Sequence, residues 1–267
     1  MKGISAIGYK AHEALMRSGG KAEPVPSFDG APYLLAANEV IWVGAKDIAM
    51  HPRAVVLPRA SIRGETPRIF EIDRALPWRP SPMRISDRGS RSVAEGAAVL
   101  RKRTGEMGEA RGLGVLTTGG QPEFPLDQGM PRIRAFLKAL EKGDHNMARE
   151  TALPLLGFGP GLTPSGDDFV GAALFARQLV DDSREWLDVA RALSEAITTR
   201  SNVISAALFR DLIQGQSFAP LHEMVSALVV HESVDRAMEA AKRLTGVGQS
   251  SGWDMFAGFV AGATGTL

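Results

Sequence analysis

The sequence predicts an α+β protein in which a β-rich N-terminal part, a small barrel or sandwich, precedes a mostly helical C-terminal domain. Short apolar runs separated by Gly, Pro and Asn fill the first ninety residues, whereas apolar residues recur at helical spacing from about Ser90 onward. The chain has 267 residues, 44% of them hydrophobic, which suffices for one large core or two smaller ones. We therefore predict two domains, at residues 1–90 and 91–267.

Four apolar runs in the N-terminal part are typical of short strands. They lie at residues 33–36, 40–43, 54–57 and 68–72. Several short strands at this spacing are typical of a small barrel or sandwich. Three prolines at positions 77, 80 and 82 then indicate a connector to the helical part.

Helices are predicted for most of the chain after Pro131. The side chains of Ile133, Phe136 and Leu140 share one face of a helix that ends at Gly143. Asp144 can cap the next helix, which is predicted to reach residue 156. Residues 113–116 indicate a strand or a buried turn, and 117–129 form a long polar loop of a kind that is often functional. Further helices are predicted at 167–180, 184–197, 202–214, 220–230, 234–245 and 253–263.

The composition excludes several classes of protein. The net charge is +1 with 23% charged residues, so the basic excess of a nucleic-acid-binding protein is absent. Without cysteine there are no disulfides, thiolate metal sites or Cys nucleophiles. No run approaches the roughly 20 apolar residues of a membrane helix, and residues 1–20 lack the apolar core of a signal peptide. We expect a cytoplasmic protein without nucleic-acid or membrane partners.

The most informative stretch is a glycine-rich loop at residues 156–169. Three glycines and two prolines lie between Gly159 and Gly166, ahead of an apolar helix. The N–H groups at such a helix N-terminus point at whatever binds. The spacing from Gly161 to Gly166 is that of a phosphate-binding loop, but Asp167 and Asp168 stand where that motif has Lys and Ser or Thr.

Two interpretations of this loop remain open. In the first, its backbone cradles a ligand while a carboxylate holds Mg²⁺ or orients a polar substrate. In the second, it is an ordinary helix start, where Ser165 caps the helix and the aspartates complement the macrodipole.

Residues 248–254 resemble the glycine-rich loop. Both segments contain a glycine followed by Ser-Gly-x-Asp, and both precede an apolar helix rich in small residues. Two such helix starts could face each other across one cleft, to which they would contribute Ser165, Ser250, Ser251, Asp168 and Asp254. The alternative is a chance similarity between two capping sequences.

A third segment, at residues 198–202, precedes another apolar helix. Arg200 offers a planar guanidinium for a carboxylate or a phosphate. In the alternative interpretation, Ser201 or Asn202 is a plain helix cap and Arg200 is an ordinary surface residue.

The three segments together resemble the motifs of the AllH-like proteins, over roughly residues 150–260. One branch of that family is a subunit of oxamate carbamoyltransferase in anaerobic allantoin breakdown. The resemblance implies a cytosolic protein that works with two larger subunits. It also implies a reaction that interconverts oxalurate and phosphate with oxamate and carbamoyl phosphate. It does not carry catalytic residues over, and the N-terminal half matches only in general character.

These observations predict a carbamoyltransferase subunit that binds a small anionic substrate at its loop-to-helix starts. Asp168, Arg200 and Asp254 are the predicted catalytic residues, and Asp167 with Asp168 is the predicted site for Mg²⁺, should a metal be needed. The alternatives are a stand-alone phosphate- or nucleotide-binding enzyme that uses Asp-bound Mg²⁺, and a non-catalytic assembly subunit. The predicted ligand-binding residues are Gly159, Gly161, Thr163, Ser165, Gly166, Asp167, Asn202, Ser250, Ser251 and Gly252.

Overall fold

The computed structural model describes residues 2–28, 32–46, 48–58, 68–72, 76–81, 85–230 and 233–267. The chain divides into two compact units, one formed by Met1–Ser81 with Ser217–Ala219 and the other by Pro82–Gln216 with Pro220–Leu267. The first unit contains a β-sheet and the second is mostly helical, so the predicted α+β class is confirmed. The predicted domain boundary between residues 90 and 91 stays a prediction.

The first unit is built on one mixed sheet with the strand order β1-β7-β3-β4-β5-β6-β2-β8. All four predicted runs contain a strand, because their apolar residues are buried in the core of this unit. Pro77 belongs to a short strand rather than to a connector, and Pro82 lies outside the described residues. The strands are β1 (Lys2–Gly3), β2 (Ala6–Gly8), β3 (Lys21–Pro24), β4 (Tyr33–Ala36), β5 (Glu39–Gly44), β6 (Ala54–Val56), β7 (Arg68–Glu71) and β8 (Pro77–Trp78).

One helix of this unit, α1 (Tyr9–Arg17), was not predicted from the sequence. Its residues Ala11, Ala14 and Leu15 are fully buried, and they follow the helical spacing that the sequence interpretation overlooked. The helix starts after Gly8, where a Cβ atom would lie 2.1 Å from the carbonyl oxygen of His51. The chain therefore needs glycine at the point where it passes from strand to helix.

Most of the second unit is helical, as predicted. Short 3-10 segments connect some of its helices, at Thr104–Met107, Gly112–Thr118, Leu126–Gly129 and Leu153–Leu155. The helices are α2 (Asp87–Lys102), α3 (Met130–Lys142), α4 (His145–Ala152), α5 (Ser165–Val180), α6 (Arg184–Arg200), α7 (Val203–Ile213), α8 (Ala219–Val229), α9 (Val234–Thr245) and α10 (Ser251–Thr264).

The helix ends show which local signals act as predicted. Gly143 takes a left-handed conformation after α3, and the Asp144 carboxylate accepts a hydrogen bond of 3.0 Å from the N–H of Met147, which confirms the predicted cap. Helix α4 ends at Ala152 instead of residue 156, because Pro154 has no N–H for the helical ladder. None of the helices of the described residues has the length and apolar character needed to cross a membrane.

Helices α5 and α10 form the centre of this unit, and their first twelve residues are almost entirely buried. A Cβ atom on Gly258 would lie 2.1 Å from the carbonyl oxygen of Phe169, and one on Gly262 would lie 2.0 Å from that of Ala173. Gly262 follows Gly258 in α10, just as Ala173 follows Phe169 in α5, so the contacts occur in the same order along both helices. The two helices run parallel with their backbones in contact, and their N-termini lie at the same end.

Candidate functional site

The parallel packing brings the two Ser-Gly-x-Asp segments together. Helix α5 begins at Ser165 and helix α10 begins at Ser251, so Asp168 and Asp254 occupy equivalent positions in the first turn of each helix. The glycine-rich loop meets the start of α10 directly, since the hydroxyls of Thr163 and Ser251 lie 2.7 Å apart in a hydrogen bond.

The glycine of each segment has a packing role. A Cβ atom on Gly166 would lie 2.0 Å from the carbonyl oxygen of Leu155, and a Cβ atom on Gly252 would lie 1.9 Å from that of Leu244. The preceding chain therefore crosses each helix start in backbone contact. Because a Cβ atom would not fit at this contact, both segments need glycine at this position.

Ser165 does not cap α5, so that part of the second interpretation of the loop is wrong. Pro164 holds the capping position, and Ser165 is the first residue of the helix. The Ser165 side chain is buried and hydrogen-bonds the Asp254 carboxyl of the neighbouring helix.

The Asp168 carboxyl is held in a nearly closed environment at 5% exposure. Burial raises its pKa well above the ordinary value, and the charge of Asp254 raises it further. Hydrogen bonds from the hydroxyls of Ser251 and Thr163 act in the opposite direction but do not offset the burial.

Asp254 is completely buried, and burial raises the pKa of its carboxyl to about 7. Its Oδ1 atom accepts a hydrogen bond of 2.6 Å from the N–H of Leu113, and the hydroxyls of Ser165 and Ser250 also favour the charged form. The two helix starts are thus reciprocal. Each aspartate receives the hydroxyl of the serine that begins the other helix.

Asp167 has a different role from its neighbour. Its Oδ1 accepts a hydrogen bond of 2.7 Å from the N–H of Gly157, and its Oδ2 accepts hydrogen bonds of 2.5 and 2.6 Å from the hydroxyls of Ser201 and Ser205. Burial raises the pKa of Asp167, while these three bonds lower it. Asp167 therefore anchors the glycine-rich loop to the junction of α6 and α7.

Asn202 strengthens the same anchor. Its Oδ1 caps α7 by accepting hydrogen bonds from the N–H groups of Ile204 and Ser205, and its Nδ2 donates to the carbonyl of Leu162 at 2.8 Å. Arg200 is the last residue of α6. Its side chain is exposed, while its carbonyl oxygen would lie 2.0 Å from a Cβ atom on Gly157. The backbone at Arg200 is thus beside the loop.

The segment at 112–129 also contributes to the site, and the sequence interpretation had singled out only residues 117–129 of it as a loop of a functional kind. Gly112 has a φ of +56°, and a Cβ atom there would lie 2.4 Å from Oδ1 of Asp254. At the other end of the segment, the side chain of Leu126 would lie 3.0 Å from a Cβ atom on Gly159. The glycines at 112 and 114 were the available sequence signal, since they flank the residue whose N–H binds Asp254. The 113–116 stretch lies in a largely buried 3-10 segment, so of the two predicted alternatives the buried turn is confirmed and the strand is wrong.

The two loops also present backbone donors. Gly159 and Gly161 have φ values of 112° and 99°. The N–H groups of Gly159, Gly161 and Thr163 donate to no acceptor among the described residues, and the same holds for Gln249 and Ser250. A ligand could use these donors together with those of the helix N-termini.

A metal site would draw on different groups. Within the described ranges, no group of three or more His, Asp or Glu side chains is placed to hold a metal ion. Both oxygens of Asp167 already accept hydrogen bonds. The Mg²⁺ site at Asp167 and Asp168 therefore stays a prediction without added support.

Comparison with known proteins finds a family model that matches the segment containing this site. Residues 155–263 match the family model described as oxamate carbamoyltransferase subunit AllH. The predicted resemblance to AllH-like proteins is confirmed for this segment, which contains both helix starts and the junction of α6 and α7. No curated protein and no solved structure matches the chain.

Proposed function

We propose that the chain is an AllH-type carbamoyltransferase subunit that binds a small anionic substrate between the N-termini of α5 and α10. The observation that carries the proposal is the meeting of the two Ser-Gly-x-Asp helix starts inside the segment that matches the family. Oxamate and carbamoyl phosphate, the compounds that the resemblance implies, are both small anions.

The electrostatics favour an anion at this place. Each helix N-terminus carries about half a positive charge, and parallel packing adds two of them at one end of the core. Three aspartates lie in the same turns, and their negative charge would oppose an anion if all were ionised. Burial raises the pKa of all three carboxyls, and it raises that of Asp254 to about 7, so Asp254 carries less than a full negative charge near neutral pH.

The remaining donors suit the ends of such a substrate. The unpaired N–H groups of Gly159, Gly161 and Thr163 can bind phosphate or carboxylate oxygens, and they could stabilise charge that develops in a transition state. Arg200 would supply a charged donor from the end of α6 if its exposed side chain turns toward the loop. Asp168 and Asp254 would supply the catalytic carboxyls.

The proposal includes partner subunits, because the family to which the segment is similar is named as a subunit. We expect two larger carbamoyltransferase subunits to assemble with this chain, and the complete reaction to require them. The expectation is tested by co-expression and co-purification with those subunits. Recovery of this chain alone would argue against the assembly.

Ligand binding tests the site separately from the assembly. We expect oxamate or carbamoyl phosphate to raise the melting temperature of the full chain without added metal. We expect Arg200→Ala to weaken this shift, while Arg191→Ala, an exposed arginine on the same helix, leaves it unchanged. Equal shifts in both variants would remove Arg200 from the site. A shift that needs ATP together with Mg²⁺ would instead favour the nucleotide-binding alternative.

A further inference from the structure

Two peptide units of the glycine-rich loop are fixed through their carbonyl oxygens. The carbonyl of Phe158 accepts a hydrogen bond of 2.9 Å from the N–H of Gly166, in the first turn of α5. The carbonyl of Leu162 accepts a hydrogen bond of 2.8 Å from Nδ2 of Asn202, the residue that caps α7. Both carbonyls therefore point from the loop toward helix starts of the same unit.

The fixed carbonyls determine where the N–H groups of the same peptide units point. Both peptide bonds are trans, and the C=O and N–H of a trans peptide lie in one plane and point in opposite directions. The N–H of Gly159 shares a peptide unit with the carbonyl of Phe158, and the N–H of Thr163 shares one with the carbonyl of Leu162. Both N–H groups are thus aimed away from the helix starts, which explains why neither has an acceptor among the described residues.

Asn202 holds its peptide unit with a side chain that has two separable tasks. Its Oδ1 caps α7 by accepting hydrogen bonds from the N–H groups of Ile204 and Ser205. This task needs only an acceptor, which serine, threonine and aspartate also provide. The bond to Leu162 needs a separate donor on the same side chain. Among the preferred cap residues, only asparagine combines a carbonyl acceptor with an amide donor.

We infer that Asn202 is a positioning residue, which aims the Thr163 N–H at the bound anion by holding the carbonyl of the same peptide unit. The inference rests on the proposed function, since it assumes that an anion binds at the loop. It gives Asn202 a different role from the predicted one, because its amide binds the loop rather than the ligand. An oxygen of the anion would accept hydrogen bonds from N–H groups that are already oriented when it arrives.

Asn202→Ser separates the two tasks of the side chain. Serine keeps an acceptor for the cap of α7 and adds no charge, but it lacks the amide that holds the Leu162 carbonyl. The dissociation constants of oxamate and carbamoyl phosphate should rise about tenfold, because the Thr163 N–H is no longer held toward the ligand. Titration calorimetry on the full chain measures this change, and the melting temperature without ligand should stay near that of the wild type.

The other variants provide a control and a second test. Asn146→Ser makes the same change at an exposed position in the first turn of α4, and it should bind both compounds as the wild type does. Asn202→Thr also keeps a hydroxyl for the cap and lacks the amide, so it should weaken binding as Asn202→Ser does. Agreement between the two variants makes the result independent of the stability of either one.

Amide resonances distinguish the aiming of one N–H from a general loosening of the loop. In the ¹⁵N-labelled wild-type chain, saturating oxamate should shift the amide signals of both Gly159 and Thr163. In Asn202→Ser the shift at Thr163 should be lost and the shift at Gly159 kept, because Gly166 still holds the Phe158 carbonyl. Loss of both shifts to the same extent would show that Asn202 only stabilises the loop, and the inference would be wrong.

The outcomes separate this inference from the proposed function. If Asn202→Ser and Asn202→Thr bind oxamate and carbamoyl phosphate as tightly as the wild type does, the inference is overturned while the proposed function stands. If neither compound binds to the wild type, the proposed function fails and the inference fails with it. Weaker binding in both variants, with the shift lost at Thr163 alone, supports the inference.

Discussion

Helices α5 and α10 begin with the same residue pattern, yet the position between glycine and the shared aspartate differs. In α5 it is Asp167, which accepts three hydrogen bonds from Gly157, Ser201 and Ser205. In α10 it is Trp253, whose ring contacts Phe256 edge-on at 6.3 Å. One helix start is thus held by a buried polar network and the other by apolar packing.

This difference separates the geometry that the two helix starts share from the interactions that stabilise each of them. The glycine and the final aspartate face the other helix or the crossing chain, and both starts share them. The position between them, Asp167 in α5 and Trp253 in α10, points away from the two shared aspartates and connects each helix start to its own surroundings. A pattern of four residues therefore contains two kinds of position, and variants at each should respond differently.

The largest expected effect lies at the shared glycines. Gly166→Ala and Gly252→Ala should each lower the free energy of unfolding by about 3 kcal/mol, because the new Cβ atom meets a backbone carbonyl that cannot turn away. Urea denaturation measures the loss. Gly105→Ala, where nothing lies within 4 Å of the added atom, is the control. If one of the two substitutions behaves like the control, the two starts are not equivalent.

The second largest effect is expected at the position after the shared glycine, which is Asp167 in α5 and Trp253 in α10. Asp167→Ala should lower the free energy of unfolding by about 2 kcal/mol, because it leaves the Gly157 N–H and two serine hydroxyls without their acceptor. The loss should shrink in Ser201→Ala/Ser205→Ala, where fewer donors depend on that carboxylate. A loss of the same size in both backgrounds would contradict the polar network.

The pH dependence of stability tests the raised pKa of the shared aspartates. Folded Asp254 keeps its proton up to about pH 7, whereas its ordinary pKa is 3.8. The folded chain therefore binds more protons over this range, and the stability contributed by the protonated group is lost as the pH rises. We expect a slope of about 1 kcal/mol per pH unit.

Asp254→Asn isolates this contribution. Its free energy of unfolding, compared with that of the wild type at each pH, should become relatively higher as the pH rises from 3.8 to about 7. Titrating groups that do not interact with Asp254 cancel in the comparison, including His222, whose pKa burial lowers to about 4. Asp168 does not cancel, because the charge of Asp254 raises its pKa, so the measured difference belongs to the pair. A difference that does not change with pH would show that Asp254 titrates normally.

The smallest effect concerns the contact between the glycine-rich loop and the start of α10. Thr163→Val and Ser251→Ala each remove one partner of the hydroxyl–hydroxyl hydrogen bond. A double-mutant cycle should give a coupling energy of about 1 kcal/mol, since both side chains are partly exposed. If the losses in the free energy of unfolding are additive, the hydrogen bond between the two side chains does not contribute to stability.

Local signals predicted much of the helical part. Gly143 and Asp144 end one helix and start the next through their own backbone and side-chain chemistry, so their roles can be read without the rest of the chain. The same reasoning offered a cap at Ser165 in one of the two interpretations of the loop, where it was wrong because Pro164 holds the capping position. Helix α1 was missed although Ala11, Ala14 and Leu15 show its apolar face.

Such local signals could not predict the contacts between residues that are far apart in the sequence. Leu113 binds Asp254 across more than a hundred residues, and Ser205 reaches Asp167 from another helix. Neither residue type indicates such a partner, because an N–H or a hydroxyl can bond equally well to water. Only the packing of the helices decides which donor meets which carboxyl.

By itself, the sequence determined the α+β class, most helices and the two Ser-Gly-x-Asp segments, because these depend on local periodicity and residue type. The tertiary structure alone decided that α5 and α10 run parallel, that Asp168 and Asp254 are buried at one end, and that Asp167 turns away to anchor the loop. The physical reason is close packing. Glycines at 258 and 262 let two backbones touch, and that contact fixes the surroundings of every carboxyl in the site.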